Sequence, residues 1–483
     1  MAEPTGRRLF SAFRWSLAGE IASRSGLPLV LLLLAQMLMP EDFGVVAAAA
    51  IVVSFSQIVW GAGLSRAVVR ERTDVESVAT CAFWVNLVLA AATALLVFVG
   101  ADAVAAGVFR DDRVAGVLRA MSPSVVLGAW MAVPSALLQR DMRFRELFWI
   151  QLATGLLPVL IALPLAWAGL GYWALVVGGL AGQAVGAAAA WRAVRWRPRR
   201  PSALDQQREL VRFGLWASTS ALLGWGFFWA DSLVIAYYLG AHDLGIYRTG
   251  SQVVLAAYGV VFSPLLPVLY SHLSGLQNNP VRLREALARA IRVIALAAIP
   301  GSFAMAVLAG LVEALLFDER WTGIGQVIAA LGLAHGLAWL VGANGEAYRA
   351  QGKPQLETGA MLAAMAVYLP VYLVAIRAGF AEFIWARFAV VFWGVAVQLY
   401  LARHALGLQL APLLSFVGRV ALASSPMLLF AAVDLTGTPA TIALHVVVAG
   451  VLSLTVMLAF VRRFGRDELR LLAELVRRGT HPR

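Results

Sequence analysis

The chain has 483 residues, 61% of them hydrophobic and only 14% charged, against about 25% charged in a soluble globular domain. A mean hydropathy of +0.78 argues against a soluble enzyme or a nucleic-acid-binding module. The net charge of +12 is therefore assigned to loops beside a membrane, not to a face that binds a polyanion.

The first apolar run, Phe13 to Met39, carries Glu20 and Arg24, which share a helix face at i,i+4. If the helix enters at Phe13, Arg24 lies ~16 Å deep at 1.5 Å per residue, near the midplane of a ~30 Å hydrocarbon core. A charge there costs on the order of 3 kcal/mol, so both residues are expected to face protein or a water-filled cavity. The run is broken by charges and lacks a cleavage site, so it is expected to be a retained first span.

Fourteen spans follow from hydropathy: 13–38, 44–65, 78–99, 115–138, 147–168, 171–191, 211–238, 246–272, 290–316, 323–348, 357–376, 380–401, 414–433 and 440–461. Every basic residue but Lys353 is Arg, and alternate connections hold 29 and 4 of them. The positive-inside rule then places both termini in the cytoplasm. Cys81 is the one cysteine, so neither a disulfide framework nor a Cys metal site is expected.

The chain repeats itself. Asp42-Phe43-Gly44 and Asp243-Leu244-Gly245 align at an offset of 201, and Phe109–Arg113 resembles Phe317–Arg320. The predicted fold is an all-α polytopic membrane protein of about 14 transmembrane helices, with two pseudo-symmetric six-helix lobes plus two extra helices. The lobes are 1–191 and 210–403, joined by a basic linker at 192–209. The extra helices occupy 404–465, and an amphipathic tail at 466–483 lies on the membrane surface. The linker, rich in Trp and Arg, reads as an interfacial anchor. Gly178, Gly182 and Gly186 form a tandem small-residue repeat that lets another helix approach closely.

Hydrolytic chemistry is not written in the sequence. It has no phosphate-binding Gly-Lys-Ser/Thr loop, no HExxH and no GxSxG elbow. What it has is charge at depth: Glu20, Arg24, Asp231, Arg248, Glu346 and Arg387. Asp231 and Arg248 flank Gly240 at similar spacing, which sets them at similar depth on adjacent antiparallel spans, where they can pair. Glu346 lies near the cytoplasmic end of the tenth span and is open to a snorkelling role beside Arg349.

Several stretches together carry a family likeness: MPEDFG at 39–44, LLQRDMRFRE at 137–146, DSLVIAYYLGAHDLGIY at 231–247, the 269–292 segment, LFDERW at 316–321 and AQGKPQ at 350–355. In their order the chain resembles the Wzx-type lipid-linked oligosaccharide translocases of the MOP superfamily. The resemblance implies two lobes around a cationic cavity in the bacterial inner membrane. It implies transport of an undecaprenyl-diphosphate-linked oligosaccharide during surface polysaccharide synthesis, with glycosyltransferases and a polymerase as partners. Neither an enzyme activity nor a bound cofactor is implied beyond H⁺ or Na⁺ as coupling ion.

On that reading Arg24, Arg248 and Arg387 offer positive charge to the diphosphate, because a planar guanidinium pairs with phosphate oxygens. Trp225, Phe228 and Trp229, with Phe227, stack on sugar rings, and Glu20, Asp231 and Glu346 exchange the coupling ion. Members of the family often carry Asn or Arg where this chain has Gly226–Ala230, which shifts recognition towards aromatic surface. A peptidoglycan lipid-precursor flippase and a multidrug exporter of the same superfamily are the alternatives.

Overall fold

The computed structural model describes residues 32–61, 63–71, 74–199, 204–262, 265–427 and 439–464. Among these the regular structure is helical. In the first part of the chain run α1 (Pro40–Gly61), α2 (Leu64–Arg70), α3 (Val75–Val104), α4 (Arg113–Arg140), α5 (Phe144–Trp167), α6 (Tyr172–Ala193), α7 (Leu204–Tyr238) and α8 (Ala241–Phe262). There follow α9 (Leu265–Ser274), α10 (Pro280–Leu316), α11 (Ile324–Ala350), α12 (Gln355–Ala375), α13 (Phe380–Leu406), α14 (Leu410–Ser424) and α15 (Pro439–Phe464). Eleven of the described helices are long and apolar enough to cross a bilayer.

Fourteen spans are compatible with this set. The first lies mostly outside the described residues, together with Glu20 and Arg24, and the fourteenth corresponds to α15. The eighth, expected as one helix over 246–272, is divided between α8 and α9. The chain divides into two compact units, Met1–Thr249 and Gly250–Arg483, with the boundary inside α8.

Helix ends follow local chemistry. Asp74 caps α3 by accepting from the Ser77 amide at 3.2 Å, and Asn279 caps α10 by accepting from the Arg282 amide at 3.1 Å. Pro280 then occupies the first turn of α10, where its missing N–H costs nothing. Asp42, in the first turn of α1, accepts from its own Met39 amide at 2.9 Å and from the Tyr172 amide at 3.0 Å. It therefore ties the start of α1 to the start of α6. Glu313 accepts from the Gly323 and Gly325 amides at 2.9 and 2.7 Å and so closes the α10–α11 hairpin.

In the first unit α6 lies against α5 through the predicted glycine stripe. A Cβ on Gly178 would overlap the Pro158 carbonyl, and one on Gly186 would overlap the Thr154 methyl. With no Cβ in the way the two backbones approach closely, which is how helices gain packing energy in lipid. Gly182→Leu is expected to force this pair apart at a cost of about 1–3 kcal/mol, read as a lower melting temperature of the purified protein. Gly179→Leu is the control, because open space lies beside it.

The repeat is visible in three dimensions. A Cβ on Gly44 would overlap the carbonyl oxygen of Ala241, and a Cβ on Gly245 would overlap that of Pro40. At the offset of 201, Pro40 corresponds to Ala241 and Gly44 to Gly245. The two contacts are thus reciprocal, as a two-fold relation requires. Between them the carboxylate of Glu41 meets His242 Nδ1 at 2.9 Å, and these two positions are also 201 apart.

The second repeated motif matches as closely. Arg113 clamps Asp111 at 2.7 and 3.0 Å, and Arg320 Nε binds Asp318 at 2.7 Å. Each Asp also accepts from the backbone amide of its Arg. Burial alone would raise the Asp111 carboxyl, but hydrogen bonds from Arg113 hold it below its usual range. Arg320 likewise holds Asp318 below that range.

The linker is more than an anchor. Trp191 and Trp196 stack at 6.0 Å, and Phe83 of α3 meets both edge-on. Arg199 pairs with Glu76 at 3.0 Å, and its carbonyl accepts from Trp84 Nε1 at 2.8 Å. The strand-like stretch after α6 is thereby pinned along the start of α3. Cys81 is buried and free, in agreement with its apolar sequence setting.

Candidate functional site

Four of the nominated residues, Phe228, Trp229, Asp231 and Arg248, lie along the α7–α8 hairpin in the first unit. The hairpin turns at Gly240, with φ +91°, so α7 and α8 run antiparallel and residues equidistant from the turn sit level. Asp231 of α7 is buried. One carboxylate oxygen accepts from the Tyr247 hydroxyl of α8 at 2.5 Å. The other accepts from the Ser232 amide at 2.6 Å and the Ser232 hydroxyl at 3.1 Å. Three hydrogen bonds to its two oxygens fix the orientation of this carboxylate.

Arg248 takes a different partner from the one its depth suggested. Its guanidinium lies over the Trp229 ring at 4.2 Å and the Phe228 ring at 5.3 Å. Those two rings meet edge-on at 5.1 Å. Phe228 remains 47% exposed. A cation spread over ring faces leaves its N–H edges available for oxyanions while the rings offset part of its desolvation.

Trp225 faces another neighbour. Its Nε1 donates to Ser54 Oγ of α1 at 2.9 Å, and its ring meets Phe55 edge-on at 5.1 Å. It fastens α7 to α1 and thereby fixes the level at which Phe228 and Trp229 stand. Arg387 and Glu346 belong to the second unit. Arg387 lies over the Tyr368 ring at 5.9 Å. Glu346, buried near the end of α11, pairs with Arg349 at 2.5 Å, and Arg349 also binds Glu357 at 3.1 Å. That network ties α11 to the start of α12. Glu20 and Arg24 lie outside the described residues.

Tyr247 was not singled out from sequence, although it holds Asp231. The depth argument that selected Arg248 applies equally to its neighbour, and a buried phenol beside a buried carboxylate is the signal. Arg110 was read only as a loop charge. It donates to the Tyr237 hydroxyl at 3.0 Å and lies over the same ring at 4.5 Å, so it covers the outer end of α7.

The described fold joins a reciprocal crossing of two helix starts with a guanidinium laid over two aromatic rings. The fold is similar to that of lipid II flippase MurJ in an inward closed conformation, with a TM-score of 0.74 at 12% identity over 94% of this chain and 99% of that one. It is also similar to an inward-facing multidrug resistance MATE family transporter, with a TM-score of 0.65 at 12% identity over 81% of this chain and 94% of that one.

Residues 33–326 match the polysaccharide biosynthesis protein family, and the chain belongs to that family. Among its relatives is the succinoglycan biosynthesis transport protein ExoT of Rhizobium meliloti (strain 1021), 30% identical over 306 residues, 63% of this chain. Another is the lipopolysaccharide biosynthesis protein WzxC of Escherichia coli (strain K12), 20% identical over 331 residues, 67% of this chain. The chain spans 62% and 66% of the lengths of these two relatives.

Proposed function

We propose that the chain moves an undecaprenyl-diphosphate-linked oligosaccharide from the cytoplasmic to the outer leaflet of the bacterial cytoplasmic membrane, by alternating access coupled to H⁺ or Na⁺. The observation that carries this reading is Arg248 of α8, a guanidinium laid over two ring faces of α7. A diphosphate cannot enter hydrocarbon alone, since isolated ions cost tens of kcal/mol there by Born estimates. Arg248 supplies positive charge to the diphosphate, Phe228 and Trp229 offer stacking surface to sugars, and Asp231 with Tyr247 is the candidate ion site. Arg24 and Arg387 are further candidates for contact with the diphosphate, and Glu20 is a further candidate for the coupling ion. Trp225 serves by positioning the shelf, and Glu346 by bracing α11.

On this reading both termini lie in the cytoplasm, which the distribution of basic loop residues supports. The polyprenyl tail stays in membrane lipid throughout. Glycosyltransferases that build the lipid-linked sugar and a polymerase that consumes it are the expected partners.

The test is translocation in proteoliposomes holding a fluorescent undecaprenyl-diphosphate oligosaccharide and, in a second set, lipid II. Faster flipping of the first substrate, abolished by Arg248→Ala, is the expected result. Equal rates for wild type and protein-free vesicles with both substrates would overturn the reading. Preference for lipid II would favour the peptidoglycan alternative.

A further inference from the structure

The second unit holds a cationic cavity that the transport reading does not use. α10 has 37 residues and so spans ~55 Å at 1.5 Å per residue, well beyond a ~30 Å hydrocarbon core. Its apolar stretch begins at Val293, and the segment before it carries Arg282, Arg284, Arg289 and Arg292. A cavity of ≈ 370 Å³ opens beside this segment, walled opposite by the turn from α13 into α14. At ~30 Å³ per water that is room for roughly ten waters.

The lining is unbalanced in charge. Arg284, Arg289 and Arg292 contribute three guanidiniums against the single carboxylate of Glu285, with Gln409 as a polar neighbour and Leu413 as an apolar one. Arg289 Nε donates to the Glu285 carbonyl at 3.4 Å, and its guanidinium reaches the Glu285 carboxylate at 4.0 Å, a weak pair between two exposed groups. Arg284 stands against Gly407, the left-handed cap of α13 (φ +69°). Arg284 and Arg292 are two helical turns apart on one face of α10, so their forks address one volume from two heights. Further along α14, away from the cavity, Leu414 and Leu422 are exposed. Charge at the helix ends with apolar side chains beyond it matches the layering of a bilayer interface. Basic pockets between helices at such a level take phosphate headgroups.

We propose that this cavity is a phosphate-binding site. It takes the phosphodiester of an anionic phospholipid from the adjoining leaflet or a soluble phosphate from the water beside it. Both ligands present the tetrahedral oxyanion that paired Arg forks recognise. The site shares no residue with the α7–α8 shelf and does not depend on the identity of the transported molecule.

The experiment titrates the purified full-length protein in detergent with cardiolipin and, separately, with inorganic phosphate, followed by native mass spectrometry. Saturable adducts on wild type are expected to weaken on the order of a hundredfold in the Arg284→Gln/Arg289→Gln/Arg292→Gln protein, from three basic groups removed. Glu285→Gln is expected to bind the same probe several-fold more tightly, a gain that a misfolded protein cannot produce. Cardiolipin adducts that inorganic phosphate fails to displace assign the site to lipid, and displacement at millimolar phosphate assigns it to the soluble ion. Absence of a saturable adduct with either probe, or equal binding by wild type and the triple variant together with no gain in Glu285→Gln, would overturn the proposal.

Discussion

Gly44→Leu and Gly245→Leu are each expected to abolish polysaccharide export in a complementation assay. Each introduces a side chain where the Cβ alone already overlaps a backbone carbonyl, of Ala241 in one case and Pro40 in the other. A flexible neighbour can swing aside, but a helix backbone moves only as a body. The expected cost is at least about 3 kcal/mol, the upper range for overpacked sites. Gly100→Leu, with open space around it, should export normally. A melting temperature that drops in step with export would show that the crossing is part of the resting fold. A preserved melting temperature with lost export would show that it belongs to one stage of the transport cycle. Normal export by both leucine variants would mean that the two helix starts do not need to meet.

Arg248→Ala is expected to remove export at normal expression, and Arg248→Lys to retain a small fraction. The alanine variant loses the charge. Lysine keeps it as a point charge that can still sit over Trp229 but lacks the two-pronged geometry for a phosphate. Hydrogen bonds to charged groups contribute about 1.5–3 kcal/mol each, so affinity for a diphosphate-lipid probe should fall by roughly 10- to 150-fold in the alanine variant. Asp231→Asn separates the roles. If the carboxylate carries the coupling ion, the variant should bind the probe normally yet fail to accumulate product against a gradient. Probe affinity that is unchanged in Arg248→Ala would remove this residue from the substrate path.

Much of the fold was legible in the chain. Hydropathy located the spans because the bilayer imposes a length and an apolar composition on every crossing helix. The 201 offset pointed to the very glycines that touch, since short turn motifs record backbone demands that no side chain can meet. The Gly178–Gly186 stripe was equally readable, for the same reason. What escaped was partner choice. Spacing set Arg248 level with Asp231, but it could not say that the guanidinium would turn to Trp229 and Phe228 while Tyr247 claimed the carboxylate. Level is fixed by helix rise, whereas azimuth depends on how two helices roll against each other. Trp225 shows the same limit, since its bond to Ser54 joins residues 171 positions apart. The linker aromatics were read by composition alone, and composition does not reveal that Phe83 receives them.

The Glu41–His242 contact has an evolutionary consequence. A residue on the axis of a symmetric pair faces its own copy. In an ancestral dimer of half-length chains, this position would have set like against like, carboxylate on carboxylate or imidazole on imidazole. Because the two positions here are separate residues of one chain, they can differ, and they meet as a carboxylate and an imidazole. The crossing of the two helix starts thus holds a complementary match that an exact two-fold axis would forbid.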